Sequence, residues 1–152
     1  MILKDAKLLA EQLMEQHGLI DTGWRFQFDN AKRRFGVCDY RAKIIGLSKC
    51  LVELNDEARV RNTILHEIAH ALTPGHGHDS IWSRKAREIG SDGERCYKAK
   101  LVETPDAKYH AVCSTCGHTH KRHKALRSTR LKCCGLCHKK GITTVLYFKQ
   151  MY

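Results

Sequence analysis

The segment His66-Glu67-Ile68-Ala69-His70 constrains this chain more than any other. Two histidines four residues apart share a face on a helix, where both imidazoles reach one ion. The surroundings agree with that conformation. Val60, Ile64, Leu65, Ile68, Ala69 and Leu72 form an apolar stripe, Asn55 stands as the cap, and Asp56 and Glu57 fill the first turn. The segment is therefore expected to be a helix that buries one side and offers the other to a metal.

Zinc suits such donors. Glu67, one residue on from His66, is rotated out of direct ligation but close enough to serve as general base on a zinc-bound water. A catalytic zinc usually has three protein ligands and an open position, so a third ligand is needed. Thr73-Pro74-Gly75-His76-Gly77-His78 breaks the helix and offers both His76 and His78. Asp79 then caps a second helix over residues 80–89, stopped by Gly90.

Upstream, Leu3, Leu8, Leu9, Leu13 and Met14 recur at helical spacing, and His17-Gly18 is a stop signal. Three short stretches follow, at residues 24–28, 34–38 and 43–48, separated by polar connectors. They read as a short antiparallel meander, which makes the fold class α+β.

The composition changes at Thr104-Pro105-Asp106: from Ala107 onward there is no aspartate or glutamate, while lysine and arginine abound. A boundary there divides the chain into residues 1–104 and 105–152. Five of the eight cysteines crowd the second part. Cys113-Ser114-Thr115-Cys116 and Cys134-Gly135-Leu136-Cys137 have the spacing of a four-cysteine zinc ribbon, which favours metal over disulfides. Cys113, Cys116, Cys134 and Cys137 are the expected ligands of a second, structural zinc. A one-residue slip would bring in Cys133, and His118 or His138 would make a mixed site.

The net charge of +11 implies attraction to polyanions, nucleic acid above all. Lys121, Arg122, Lys124, Arg127 and Arg130 lie between the two cysteine pairs and are the candidate phosphate contacts. A solvated basic loop without a partner gives the same pattern. Tyr109, Tyr147 and Phe148 suit core packing better than base stacking.

Several further segments resemble the SprT-like metalloprotease domain, which includes the Spartan proteases. They are Gly23-Trp24 through Asn30-Ala31, Gly36-Val37-Cys38, Ile45-Gly46-Leu47-Ser48, the run from Thr63 to Leu72, and Gly77-His78 four residues before Trp82. The resemblance implies a zincin-like fold with a C-terminal zinc ribbon. It implies that His78 joins His66 and His70 on the catalytic zinc, and that the substrates are proteins bound or crosslinked to DNA.

The expectation is thus a zinc-dependent endopeptidase with one catalytic and one structural zinc, DNA as partner and a protein as substrate. The competing reading is a nucleic-acid-binding zinc-ribbon protein whose H-E-x-x-H site is structural or regulatory. A weaker third is a zinc hydrolase acting on a non-peptide bond. The first residues lack a basic-then-apolar leader, and no stretch has the length of a membrane span. A monomer in the cytoplasm, associated with the nucleoid and not with a membrane, is expected.

Overall fold

A computed structural model describes residues 1–95, 102–126 and 131–152. The chain divides into two compact units, Met1–Pro105 and Asp106–Tyr152.

In the first unit, α1 (Leu3–Gln16) buries Ala6, Ala10, Leu13 and Met14. It packs on α3 (Glu57–Leu72), whose Val60, Ile64, Leu65, Ile68 and Ala69 face inward. Each such aliphatic side chain removed from water contributes about 1.5–3 kcal/mol. Together with Leu51 and Val52 of a short helix, α2 (Lys49–Leu54), they form one continuous core. Asp56, not Asn55, is the cap of α3: its side chain accepts from the Arg59 amide. Asn55 instead ends α2 and holds the chain on both sides, donating to the Leu51 carbonyl and exchanging two hydrogen bonds with Glu103.

The strands are β1 (Arg25–Asp29), β2 (Gly36–Asp39) and β3 (Ile44–Ser48). The expected antiparallel meander is corrected here. The order is β1-β3-β2, with β3 antiparallel to β2 but parallel to β1, so the sheet is mixed. The physical reason lies in burial. Ile45, Gly46, Leu47 and Ser48 are all buried, as a central strand covered on both faces must be, whereas β1 and β2 are only partly buried. Alternation along a strand tells which face is apolar, not which neighbour the strand takes.

The second helix expected after the Pro-Gly break is α4 (Ser80–Glu88). Asp79 caps it, accepting from the amides of Ile81 and Trp82. Trp82 packs with Ala69, Ala86 and Ile89, while Ile81 is exposed.

The second unit contains a sheet of order β5-β4-β8, formed by β4 (Tyr109–Val112), β5 (Thr119–Arg122) and β8 (Lys149–Gln150). A two-stranded ribbon, β6 (Lys132–Cys133) with β7 (Val145–Leu146), flanks the short α5 (Gly135–His138). Its buried core is small: Ala111, Cys113, Cys134, Cys137 and Leu146, with Phe148 packed against them. No helix among the described residues is long and apolar enough to cross a membrane.

Candidate active site and cysteine cluster

One turn of α3 separates His66 from His70, and both imidazoles leave the helix on the side away from the core. The chain turns back through Pro74 and Gly75, and Gly75 takes a φ of 85° that a side chain would strain. This return brings His78 over the pair. Its Nε2 lies 3.1 Å from Nε2 of His66 and 3.1 Å from Nε2 of His70. His76 is not part of this convergence; its Nδ1 sits 2.8 Å from a carboxylate oxygen of Asp79.

Each helix-borne imidazole is also addressed by a backbone group, Glu94 at His66 and His76 at His70. Groups so placed favour the orientation that turns the opposite ring nitrogen toward an ion. Beneath all three rings lies Trp82, with centroid separations of 4.6, 5.0 and 4.6 Å to His66, His70 and His78. Burial, with repulsion from the neighbouring rings, lowers His66 and His70 to about 4, and burial also lowers His78. The three imidazoles are therefore neutral near pH 7, the form that ligates. Three imidazole nitrogens bonded tetrahedrally to zinc at about 2.0–2.1 Å would stand roughly 3.3 Å apart, so the donor set fits that ion and leaves a fourth position open.

Glu67 is buried against β2. A Cβ added to Gly36 would meet its Oε1 at 2.5 Å, so any larger residue there would displace the Glu67 side chain. Burial pushes the Glu67 carboxyl up to about 8, with Arg34 pulling the other way. Arg34 is itself held by an ion pair with Asp29. Tyr40, just past β2, donates its hydroxyl to the His70 carbonyl at 2.7 Å. These groups line an open cleft of about 720 Å³, which also takes in Val37, Cys38, Arg59 and Asn62.

The far wall, residues 91–95, rests on Asn62. The Asn62 side-chain oxygen accepts from the Ser91 hydroxyl and the Asp92 amide, and its nitrogen donates to the Asp92 carboxylate. Ser83 adds a bond to the Gly93 carbonyl. Neither Asn62 nor the Glu94 backbone was singled out from sequence, where the one available signal was Asn62 standing four residues before His66.

In the second unit the thiols of Cys113, Cys116, Cys134 and Cys137 gather within 4.8 Å of one another. Cys113 and Cys137 sulfurs are 3.6 Å apart and those of Cys116 and Cys134 are 3.7 Å apart. Tetrahedral bonds of about 2.3 Å to one zinc put sulfurs roughly 3.8 Å apart, so this set also fits, with no position left open. Hydrogen bonding from the Cys116 and Thr115 backbone draws the Cys113 thiol down to about 6, toward the thiolate that binds metal. Cys133 is exposed on β6 and does not join the group. His120, which the spacing did not single out as a metal-site residue, places Nε2 3.3 Å from the Cys134 sulfur.

Lys121 and Lys124 are exposed. Arg122 is half-buried, its guanidinium 5.5 Å from the centre of the Phe148 ring, so this aromatic is occupied in packing. Arg127 and Arg130 lie outside the described residues.

A model of the SprT-like family matches residues 6–110, more than half of the chain. Among solved structures, the metallopeptidase zymogen jannalysin of Methanocaldococcus jannaschii is similar at 18% identity and a TM-score of 0.49, covering 63% of this chain and 85% of that one. No curated protein matches the chain.

Proposed function

Because the chain belongs to the SprT-like family of zinc metallopeptidases, we propose that it is a zinc-dependent endopeptidase that cuts proteins bound or crosslinked to DNA, acting in the cytoplasm at the nucleoid. The observation that carries the peptidase reading is the convergence of three imidazole nitrogens beside a buried carboxylate in an open cleft.

His66, His70 and His78 would hold the catalytic ion. When bound, zinc supplies Lewis acidity, polarising a carbonyl and making water easier to deprotonate. The rest of the work falls to the chain. Strand β2 has β3 on one side only among the described residues, so its other edge is free to pair with an extended substrate along the cleft. The positive charge of a bound ion would favour the carboxylate form of Glu67 against the burial that favours the neutral one, and Glu67 would then take a proton from a water and hand it to the leaving amine nitrogen. Tyr40, by fixing the His70 carbonyl, holds the end of α3 in place.

Charge supports the DNA part. Residues 106–152 carry ten lysines and arginines against one acid, while residues 1–105 carry seventeen against fifteen. Contacts from Lys121, Arg122 and Lys124 would neutralise phosphate without reading sequence. Cys113, Cys116, Cys134 and Cys137 would hold a structural zinc that keeps this unit folded.

The test compares zinc-loaded wild type with Glu67→Gln on a DNA-binding protein, with and without single- and double-stranded DNA, reading products by mass spectrometry and metal content on both. Cleavage by wild type alone, at equal metal content, and stimulated by DNA, is the expected result. DNA binding without cleavage by either protein would favour the nucleic-acid-binding reading, and cleavage indifferent to DNA would sink the crosslink reading.

A further inference from the structure

The first unit is nearly charge-balanced, with seventeen basic residues against fifteen acids, and its cleft takes its cations from one residue type. Among the described residues four arginines, Arg33, Arg34, Arg59 and Arg95, line the catalytic cleft, and no lysine does. Arginine presents a planar fork that matches a carboxylate with two parallel hydrogen bonds, which a lysine ammonium does not.

The arginines also stand at defined places around the centre. Arg34, oriented by Asp29, lies on the Glu67 side, close enough to act on that carboxyl. Arg95 acts on His78 from the opposite wall. Arg59 precedes His66 by seven residues and His70 by eleven, so all three share one face of α3. That spacing puts Arg59 about 10 Å along the helix axis from His66. An extended peptide covers this distance in roughly three residues.

Besides Glu67, two carboxylates among the described residues line the cleft, those of Asp92 and Glu94. The Asp92 side chain is already engaged, accepting from Asn62 at 3.0 Å and from the Glu94 amide at 3.0 Å. Among the described residues of the lining, four arginines stand against three carboxylates, so arginine is the cation that a bound peptide meets.

Resting on the peptidase reading of this cleft, we propose that it selects substrates with aspartate or glutamate beside the scissile bond, with the Arg59 subsite about three residues away. The free edge of β2 is suited to hold the peptide backbone whatever its sequence, and the arginines decide which side chains stay. Acidic patches of proteins are thus the preferred points of attack.

The experiment uses the full, zinc-loaded chain carrying Glu67→Gln and fluorescein-labelled twelve-residue peptides that differ only in having Glu, Gln or Lys at the flanking positions. Binding is read by anisotropy. The Glu peptide is expected to bind roughly tenfold more tightly than the Gln peptide, as hydrogen bonds to a charged group allow, and the Lys peptide more weakly still. Adding Arg34→Glu with Arg59→Glu should remove or invert that order, and Arg59→Gln alone should reduce it, which keeps the test available if the double variant misfolds. Reversing Lys121, Arg122 and Lys124 to Glu should leave the order intact.

Equal binding of all three peptides overturns the proposal. So does a preference that survives the cleft changes but disappears with the second-unit reversal. Displacement of the Glu peptide by an oligonucleotide, lost on reversing Arg34 and Arg59, would assign the rim to phosphate and also overturn it. Wild-type cleavage of the same peptides separates the two readings: cutting without acidic bias sinks this proposal alone, while acid-selective binding without any cutting sinks the peptidase.

Discussion

Gly36 shows how a single atom controls the chemistry of this cleft. The methyl group of Gly36→Ala would fall within 3.0 Å of three side-chain atoms of Glu67, and the carboxylate is the group that has to move. A displacement of about 1 Å in a positioned catalytic group costs on the order of 100-fold in rate. Gly36→Ala is therefore expected to lose about that much in kcat while keeping its zinc, since the three histidines are untouched. Metal analysis alongside steady-state kinetics checks this, and loss of metal with activity would refute it. The spacing of His66 and His70 was legible because helical geometry alone joins residues four apart. His78 was not separable from His76 by that reasoning; the resemblance pointed to it, and the structure brings its Nε2 to the other two while His76 turns to Asp79. The close approach of position 36 to Glu67 was invisible, because the two lie thirty-one residues apart in the chain.

Among the elements, α3 was read well and its partners poorly. Its apolar stripe is local information, whereas the mixed sheet depends on which strand is covered on both faces. The wall at residues 91–95 is a further case. It has no regular structure of its own, and Asn62 holds it through three side-chain hydrogen bonds. Asn62→Ala should leave the buried Ser91 and the backbone of Asp92 short of partners, costing about 1–3 kcal/mol. Because this wall carries the Glu94 backbone group that addresses His66, zinc retention should weaken as well, by roughly 10-fold or more. Chelator competition followed by zinc analysis, beside a urea titration, measures both. A variant that loses stability but holds zinc as wild type does would detach the wall from the metal.

For the whole molecule, the two units differ in what holds them together. The first has a continuous apolar core that includes Met14, Ile45, Leu47, Leu51, Ile64 and Ile68. The apolar cluster of the second has five buried members among the described residues, three of them cysteines of the metal-site group. Strong chelation should therefore unfold residues 106–152 and leave the first unit folded, since metal binding in so small a unit supplies much of its folding free energy. Limited proteolysis with and without chelator would show it: a resistant fragment ending near Pro105 is expected, and equal resistance of both units would contradict it. The donor sets differ in another respect. Cysteine sulfur passes readily to sulfenic acid or disulfide, and imidazole nitrogen does not. A titration with hydrogen peroxide should thus eject the ion held by sulfur first, seen as about one equivalent of zinc released per chain to a colorimetric chelator, while the histidine-held ion stays. Under the function proposed above, oxidation would spare the cleavage centre and disable the unit proposed to bind DNA.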